Sequence, residues 1–338
     1  MAFQKLDPRD LLISSEPVTS TIWDTNSPSL TLFYTSSTQT VSNSGKFYYN
    51  IFSDAGAAGS SQFSIAYCDK QGSGSLFYNA AVNGASPTRT NYGQYRTLIL
   101  GDEDSDFVFG NQTSDHFYVL SIERSGYKES ILPGSLTLTL SSGSTSTITL
   151  TDDSNLGTSA VFTDAGRRYN LVSGSAGTVF TTTNTNGWTS NSGSYGWLLP
   201  DVGLIVLSGE ALDGTYANGG VDLQTVRTSN TASYNQELLY NSINSGSLFT
   251  LNSKETLSSD YIFVRARNNE FNYSTNPSFI SGSTGAILFN SFIDDPQVYI
   301  TTVGLYNNNQ ELLAVAKLSR PLLKDFTKEL LVRVRLDF

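Results

Sequence analysis

The segment 298–338, VYITTVGLYNNNQELLAVAKLSRPLLKDFTKELLVRVRLDF, constrains the fold more than any other stretch. Its last nine residues alternate. Leu330, Val332, Val334, Leu336 and Phe338 fall on one face, and Arg333, Arg335 and Asp337 on the other. A period of two marks a β-strand with one face covered, because successive Cβ atoms point to opposite sides of the pleat. Upstream, 298–306 is apolar and β-branched, Asn307-Asn308-Asn309 has turn chemistry, and 311–318 returns as a second strand. A loop through Arg320-Pro321 is expected to lead to the final strand. The segment should form one compact β unit, with the last strand integral to a core rather than a disordered tail.

The rest of the chain repeats this grammar of short strands and polar turns. Strands are expected at 30–34, 47–52, 63–68, 95–100, 116–123, 134–140, 145–150 and 168–172. The pair LTLTL and TSTITL, separated by four residues, has hairpin spacing. Pro200 interrupts an apolar run, so the next strand should start at Leu204, since a central strand tolerates no proline. The best helix candidate is 233–244, with Leu238, Leu239 and Ile243 on one face and Ser233 as cap. A second short helix is a candidate at 322–330. No solenoid repeat is present, which disfavours a β-helical tailspike hydrolase. The expected fold is mainly β: antiparallel sandwich or barrel-like modules with one or two short helices. The domains expected are 1–132, 133–256 and 257–338.

Composition narrows the class. With 38% hydrophobic residues, 18 Tyr and 19 Phe against only 15% charged, the chain has the makings of packed strands rather than disorder. The net charge of −10 argues against nucleic acid as a partner. The cations concentrate at one end: Lys317, Arg320, Lys324, Lys328, Arg333 and Arg335 outnumber Asp325, Glu329 and Asp337. That end reads either as a solvated basic sheet face or as a docking face for an acidic neighbour. One cysteine, Cys68, rules out an intramolecular disulfide. No signal-type N-terminus and no membrane-length apolar run is seen, so folding in the cytoplasm and no membrane partner are expected.

The C-terminal segment is similar to the C-termini of virion structural proteins of T-even-like tailed phages, the myophages of cyanobacteria and other marine bacteria. Three other stretches carry the same resemblance: NYGQYRTLILGDEDSDFVF at 91–109, SYGWLLPDVGLIVLS at 194–208, and SSDYIFVRARNNEFNYSTNPSFI at 258–280. The first ninety residues match less clearly. The resemblance implies a particle component assembled in the host cytoplasm, with other virion proteins and copies of itself as partners. It supplies no catalytic residues and leaves baseplate, tail and neck open.

Residues that could carry chemistry are few. A Ser/His/Asp system would need His116, the one histidine, and no G-x-S-x-G elbow accompanies it; the plain expectation is a strand-edge histidine. One His and one Cys exclude a conventional zinc site. Asp102, Asp104 and Asp106 have the alternate spacing of a calcium loop, but Phe107 and Thr113 replace the Gly and Glu that such a loop needs. Trp188 and Trp197, in and beside a polar loop, are candidates for stacking on a sugar or a partner. Arg265 and Arg267 would share a strand face before an Asn-rich turn. With Lys324, Lys328, Arg333 and Arg335 they are the interface candidates. The expected function is a non-enzymatic virion building block, of the baseplate or tail periphery, with neck or collar as the alternative, no cofactor, and a receptor- or carbohydrate-binding role as the competing class. A hydrolase ranks third.

Overall fold

The computed structural model describes residues 4–35, 48–55, 59–74, 86–143, 146–157, 160–180, 194–227, 234–273 and 277–337. The fold is mainly β, 46% strand and 18% helix, with antiparallel sheets and four α-helices. The chain divides into a large unit, 18–255, and a small unit formed by 1–17 with 256–338.

In the large unit one sheet curls into a half-barrel. Its central run places Thr137–Ser142, Ser146–Asp152, Gly166–Ser175, Gly196–Leu199, Leu204–Ser208, His116–Ile122, Ser61–Asp69 and Tyr48–Phe52 side by side. The expected boundary at 132/133 lies within this sheet, because Leu204–Ser208 and His116–Ile122 are hydrogen-bonded neighbours. The 137–152 hairpin forms as its spacing predicts, with Leu138 opposite Leu150. Pro200 sits in the turn between Gly196–Leu199 and Leu204–Ser208.

The centre of the sheet is covered on both faces, which explains its sequence. Phe63, Ile65, Tyr67, Tyr118, Leu120, Ile122, Ile205 and Leu207 join one apolar cluster. The residues between them, Ala66, Cys68, Phe117, Val119, Leu204 and Val206, join a second on the opposite side. Strands covered on both sides read as continuous apolar runs rather than alternation. The helix Tyr234–Gly246, which the sequence predicts, buries Leu239 and Ile243 in the first cluster; its expected cap, Ser233, lies outside the described residues.

A different helix covers the other face. The expected strand at 95–100 is instead the C-terminal half of a helix, Pro87–Leu100. Its buried face is Thr88, Tyr92 and Ile99, a helical spacing. The ends carry the signals for it: Pro87 at the first turn, and Gly101 after the last, in the left-handed conformation at φ 75 with its N–H bonded to Thr97 O. The expected strand at 30–34 is split into Ser29–Leu30 and Tyr34–Thr35.

In the small unit, Leu330–Asp337 is a strand with the predicted alternation, and Val334 is its buried residue. Its partner is Asn252–Ala266, with Val334 opposite Ile262 and Val332 opposite Val264. The segment 298–338 is therefore not one sheet. Val298–Tyr306 and Leu312–Lys324 form a separate two-stranded hairpin. The expected loop at Arg320-Pro321 is strand, and the candidate helix at 322–330 is the end of that strand, a turn and the start of the next. Asp325 makes the turn, its carboxylate accepting from the Thr327 amide at 2.8 Å and hydroxyl at 2.6 Å.

Candidate interaction surface

Several side chains singled out by the sequence are inside the protein. Trp197 is 2% exposed. It packs 5.6 Å from Phe107 and 4.7 Å from Phe109, with the Arg168 guanidinium 4.4 Å over its ring. It is a core residue and offers no face to a sugar; the sequence missed this because Gly196–Leu199 is a strand covered on both sides. Trp188 lies outside the described residues.

The acidic turn is closed on itself. Asp102 accepts hydrogen bonds from the amides of Asp104 and Ser105 and from the Ser105 hydroxyl. Those bonds hold its carboxyl below the ordinary carboxylate range. Asp106 pairs with Lys70 at 2.5 Å. Among the described residues no group of three or more His, Cys, Asp or Glu is placed to hold a metal ion. No described helix is long and apolar enough to cross a membrane.

His116 begins its strand, as expected, but is 3% exposed and has a partner 97 residues away. Its Nε2 lies 3.2 Å from Asp213 Oδ2. Asp213 Oδ1 accepts from the Thr225 amide at 2.8 Å and hydroxyl at 2.7 Å. With the Thr225 hydrogen committed there, the Tyr118 hydroxyl 2.8 Å away donates to Thr225 Oγ1. Beside this chain, the buried Asp69 accepts from Arg227 Nε at 3.0 Å and from the amides of Gln71 and Ser73. A Cβ on Gly209 would lie 2.1 Å from His116 Cδ2, so the ring fills the space that only glycine leaves. The arrangement pins 213–227 onto the sheet. The sulfur of Cys68 is fully buried, and that burial, with Asp69 beside it, pushes its thiol pKa well up.

An open groove of about 640 Å³ lies between the Pro87–Leu100 helix and the sheet. Tyr48, Asn50, Ser64, Asn91, Gln94 and Tyr95 line it, and among the described residues no charged side chain does. Burial pushes the Tyr95 phenol up to about 12, so its hydroxyl keeps its proton at neutral pH.

The basic candidates of the small unit divide sharply. Lys324 is 0% exposed. Its Nζ donates to Asn268 O at 3.0 Å, Asn272 Oδ1 at 2.7 Å and Asp325 O at 2.9 Å. It is a clasp joining the base of the 298–324 hairpin to the loop after Ala266, and it is not part of a docking face. Buried ammonium groups persist only when their donors are used, as all three are here. Lys328 pairs with Asp325 at 2.9 Å. Arg265 is exposed and pairs with Asp10 at 3.0 Å. Arg267 lies beyond the strand end, in a turn where its amide bonds Glu270, so the two arginines do not share a strand face. Arg333 and Arg335 do share one: both lie over the Tyr261 ring, at 5.6 and 5.5 Å, and Arg335 also pairs with Asp337.

The feature that the sequence reading missed is apolar. Among the described residues, the small unit buries only Ile262, Ala266 and Val334 as apolar side chains. It leaves sixteen large apolar side chains exposed, against ten in the much longer large unit. Tyr299 is 60% exposed, Leu313 68% and Val315 58%, all on the hairpin. The continuous apolar runs of the hairpin were the available signal, since they resemble the doubly covered strands of the large unit. No protein-family model, no curated protein and no solved structure matches the chain.

Proposed function

We propose that this chain is a non-enzymatic structural subunit of a tailed-phage virion, placed in the baseplate or tail periphery and acting by subunit–subunit docking. The observation that carries the docking half is the small unit's apolar surface. Sixteen exposed large apolar side chains on so short a unit support a protein interaction site. The virion half is supported by the resemblance of 91–109, 194–208, 258–280 and 298–338. The burial of His116 and Cys68 among packed side chains supports a reading without chemical turnover. Neck or collar is the alternative place in the particle.

A second reading, glycan binding, is favoured by the groove of tyrosines, amides and hydroxyls beside the Pro87–Leu100 helix. Aromatic faces stack on sugars while amides and hydroxyls bond their hydroxyl groups. The two readings separate by experiment. Quantitative mass spectrometry of purified particles should find the chain at several copies or more per particle, and finding it only in the infected-cell lysate rejects the virion role. Binding on a glycan array that is lost in Tyr48→Ala would install the second reading.

A further inference from the structure

We propose that Lys324 and Asn272 join in an isopeptide bond, a covalent staple inside the small unit. The bond is independent of what that unit docks to and of where the chain sits in a particle.

Burial singles out the pair. Lys324 is 0% exposed and Asn272 5%. They are 52 residues apart in sequence, and Nζ donates to Asn272 Oδ1 at 2.7 Å. Buried charges in proteins are normally paired with an opposite charge. All three acceptors of Lys324 are neutral: the Asn268 and Asp325 carbonyls and the Asn272 side-chain amide. The Asp325 carboxylate is engaged instead by Thr327 and Lys328. Hydrogen bonds hold the ammonium in place, but none of its three acceptors cancels its charge. Conversion to an amide discharges the site and removes that cost.

The geometry suits the reaction. Nζ is 2.7 Å from Oδ1, and Cγ is one C=O bond of about 1.23 Å from the same oxygen, so the two atoms that bond lie within about 4 Å. Reacting atoms in near-attack conformers are about 3–3.5 Å apart, so a small shift suffices. The amide is also oriented. Asn272 Nδ2 donates to Asn268 O at 2.6 Å, and Lys324 Nζ donates to the same oxygen at 3.0 Å. Asn268 O thus touches both the nitrogen that arrives and the nitrogen that leaves. The Nζ lone pair bonds to Cγ, and the Cγ–Nδ2 bond breaks. Nζ gives up two of its three protons, and the departing nitrogen takes them and leaves as ammonium. Atoms and charge balance with no oxidant and no other reagent.

The small unit has a use for such a link. Among the described residues its buried apolar side chains are Ile262, Ala266 and Val334. A disulfide is not available to it, because the one cysteine, Cys68, lies in the large unit. Units with little core rely on cross-links. This bond would tie the base of the 298–324 hairpin to the loop after Ala266. A link between residues far apart in sequence takes the most freedom from the unfolded chain.

The test is the mass of the natural full chain, held folded at neutral pH for days. It should be lighter than the sequence mass by one ammonia, and Lys324→Arg should not be. Digestion should yield a branched peptide that joins the Asn272 and Lys324 segments. After denaturation, an amine-reactive reagent should modify the other lysines and spare Lys324. A natural chain of full sequence mass, with Lys324 reactive after denaturation, overturns the proposal. So does an ammonia loss without the branched peptide, or one that persists in Lys324→Arg. Neither the docking reading nor the virion reading depends on the result.

Discussion

The large and small units use the same kinds of residue to opposite ends. In the large unit, apolar side chains from both faces of the sheet are driven into two clusters, each closed by a helix. Burial there supplies the stability, at roughly 25 cal/mol for each Å² removed from water. In the small unit only Ile262, Ala266 and Val334 are buried apolar side chains among the described residues, sixteen large ones are exposed, and the most enclosed polar group is an ammonium, Lys324. On the proposed docking reading, area of the same chemistry is folding energy in one unit and association energy in the other.

The largest expected contrast comes from truncating one large apolar side chain in each setting. Trp197→Ala removes a fully enclosed ring from the second cluster and should destabilise the large unit by about 3–5 kcal/mol in a denaturant titration. Leu313→Ala should leave that transition where it is and act only on the mass of the assembly. Equal shifts of the transition by the two substitutions would erase the distinction between the units.

A middle-sized effect is expected at the clasp. Lys324→Met strips the donor from Asn268 O and Asn272 Oδ1, and unpaired buried acceptors cost about 1–3 kcal/mol each. Limited proteolysis should then cut the small unit faster while leaving 116–122 and 204–208 protected. Unchanged cleavage would mean that the clasp does not hold the hairpin base.

How much of this was legible in the sequence differs between the units for a physical reason. Local signals were readable: the Leu138–Leu150 hairpin, the Pro200 break, the turn at 307–309, the helix Tyr234–Gly246 and the alternation of Leu330–Asp337. Pairing at long range was not. Nothing near His116 points to Asp213, and nothing in the last strand points to Asn252–Ala266 as its neighbour. The helix Pro87–Leu100 was missed because its last residues, Leu98, Ile99 and Leu100, look like a strand when read without the Pro and Gly that frame them. Lys324 was read as a surface cation because sequence gives charge but not the three acceptors converging on it. The interface candidates are all cations, whereas the small unit also exposes sixteen large apolar side chains.

The smallest effects expected are on pH dependence, and they belong to the large unit. Burial opposes ionisation of Asp201, but the hydrogen bonds and charge of Arg167, with Nε 3.1 and 3.2 Å from the two oxygens, outweigh it and hold the carboxyl below 3.8. A carboxyl lowered on folding adds stability above its unfolded pKa and loses it as the pH falls through the folded value. The large unit should weaken on acidification below about pH 3.8, and Asp201→Asn should remove part of that slope. Asp152 has the opposite sign. Burial raises its pKa above 3.8 despite hydrogen bonds from Ser154 and the Gly134 amide, so its contribution is present at low pH and is lost as the pH rises. Thermal melts of Asp201→Asn and Asp152→Asn across pH 2–7 should therefore change slope in opposite directions.

The most direct test of the division between the units is amide hydrogen exchange on the full chain, followed from dilute solution to the assembled particle. Amides of His116–Ile122 and Leu204–Ser208 should be strongly protected at every concentration, because their cover lies within the chain. Amides of Val298–Tyr306 and Leu312–Lys324 should exchange rapidly when dilute and become protected on assembly. Strong protection of the hairpin in dilute monomer would contradict the account, as would rapid exchange of the hairpin in the particle.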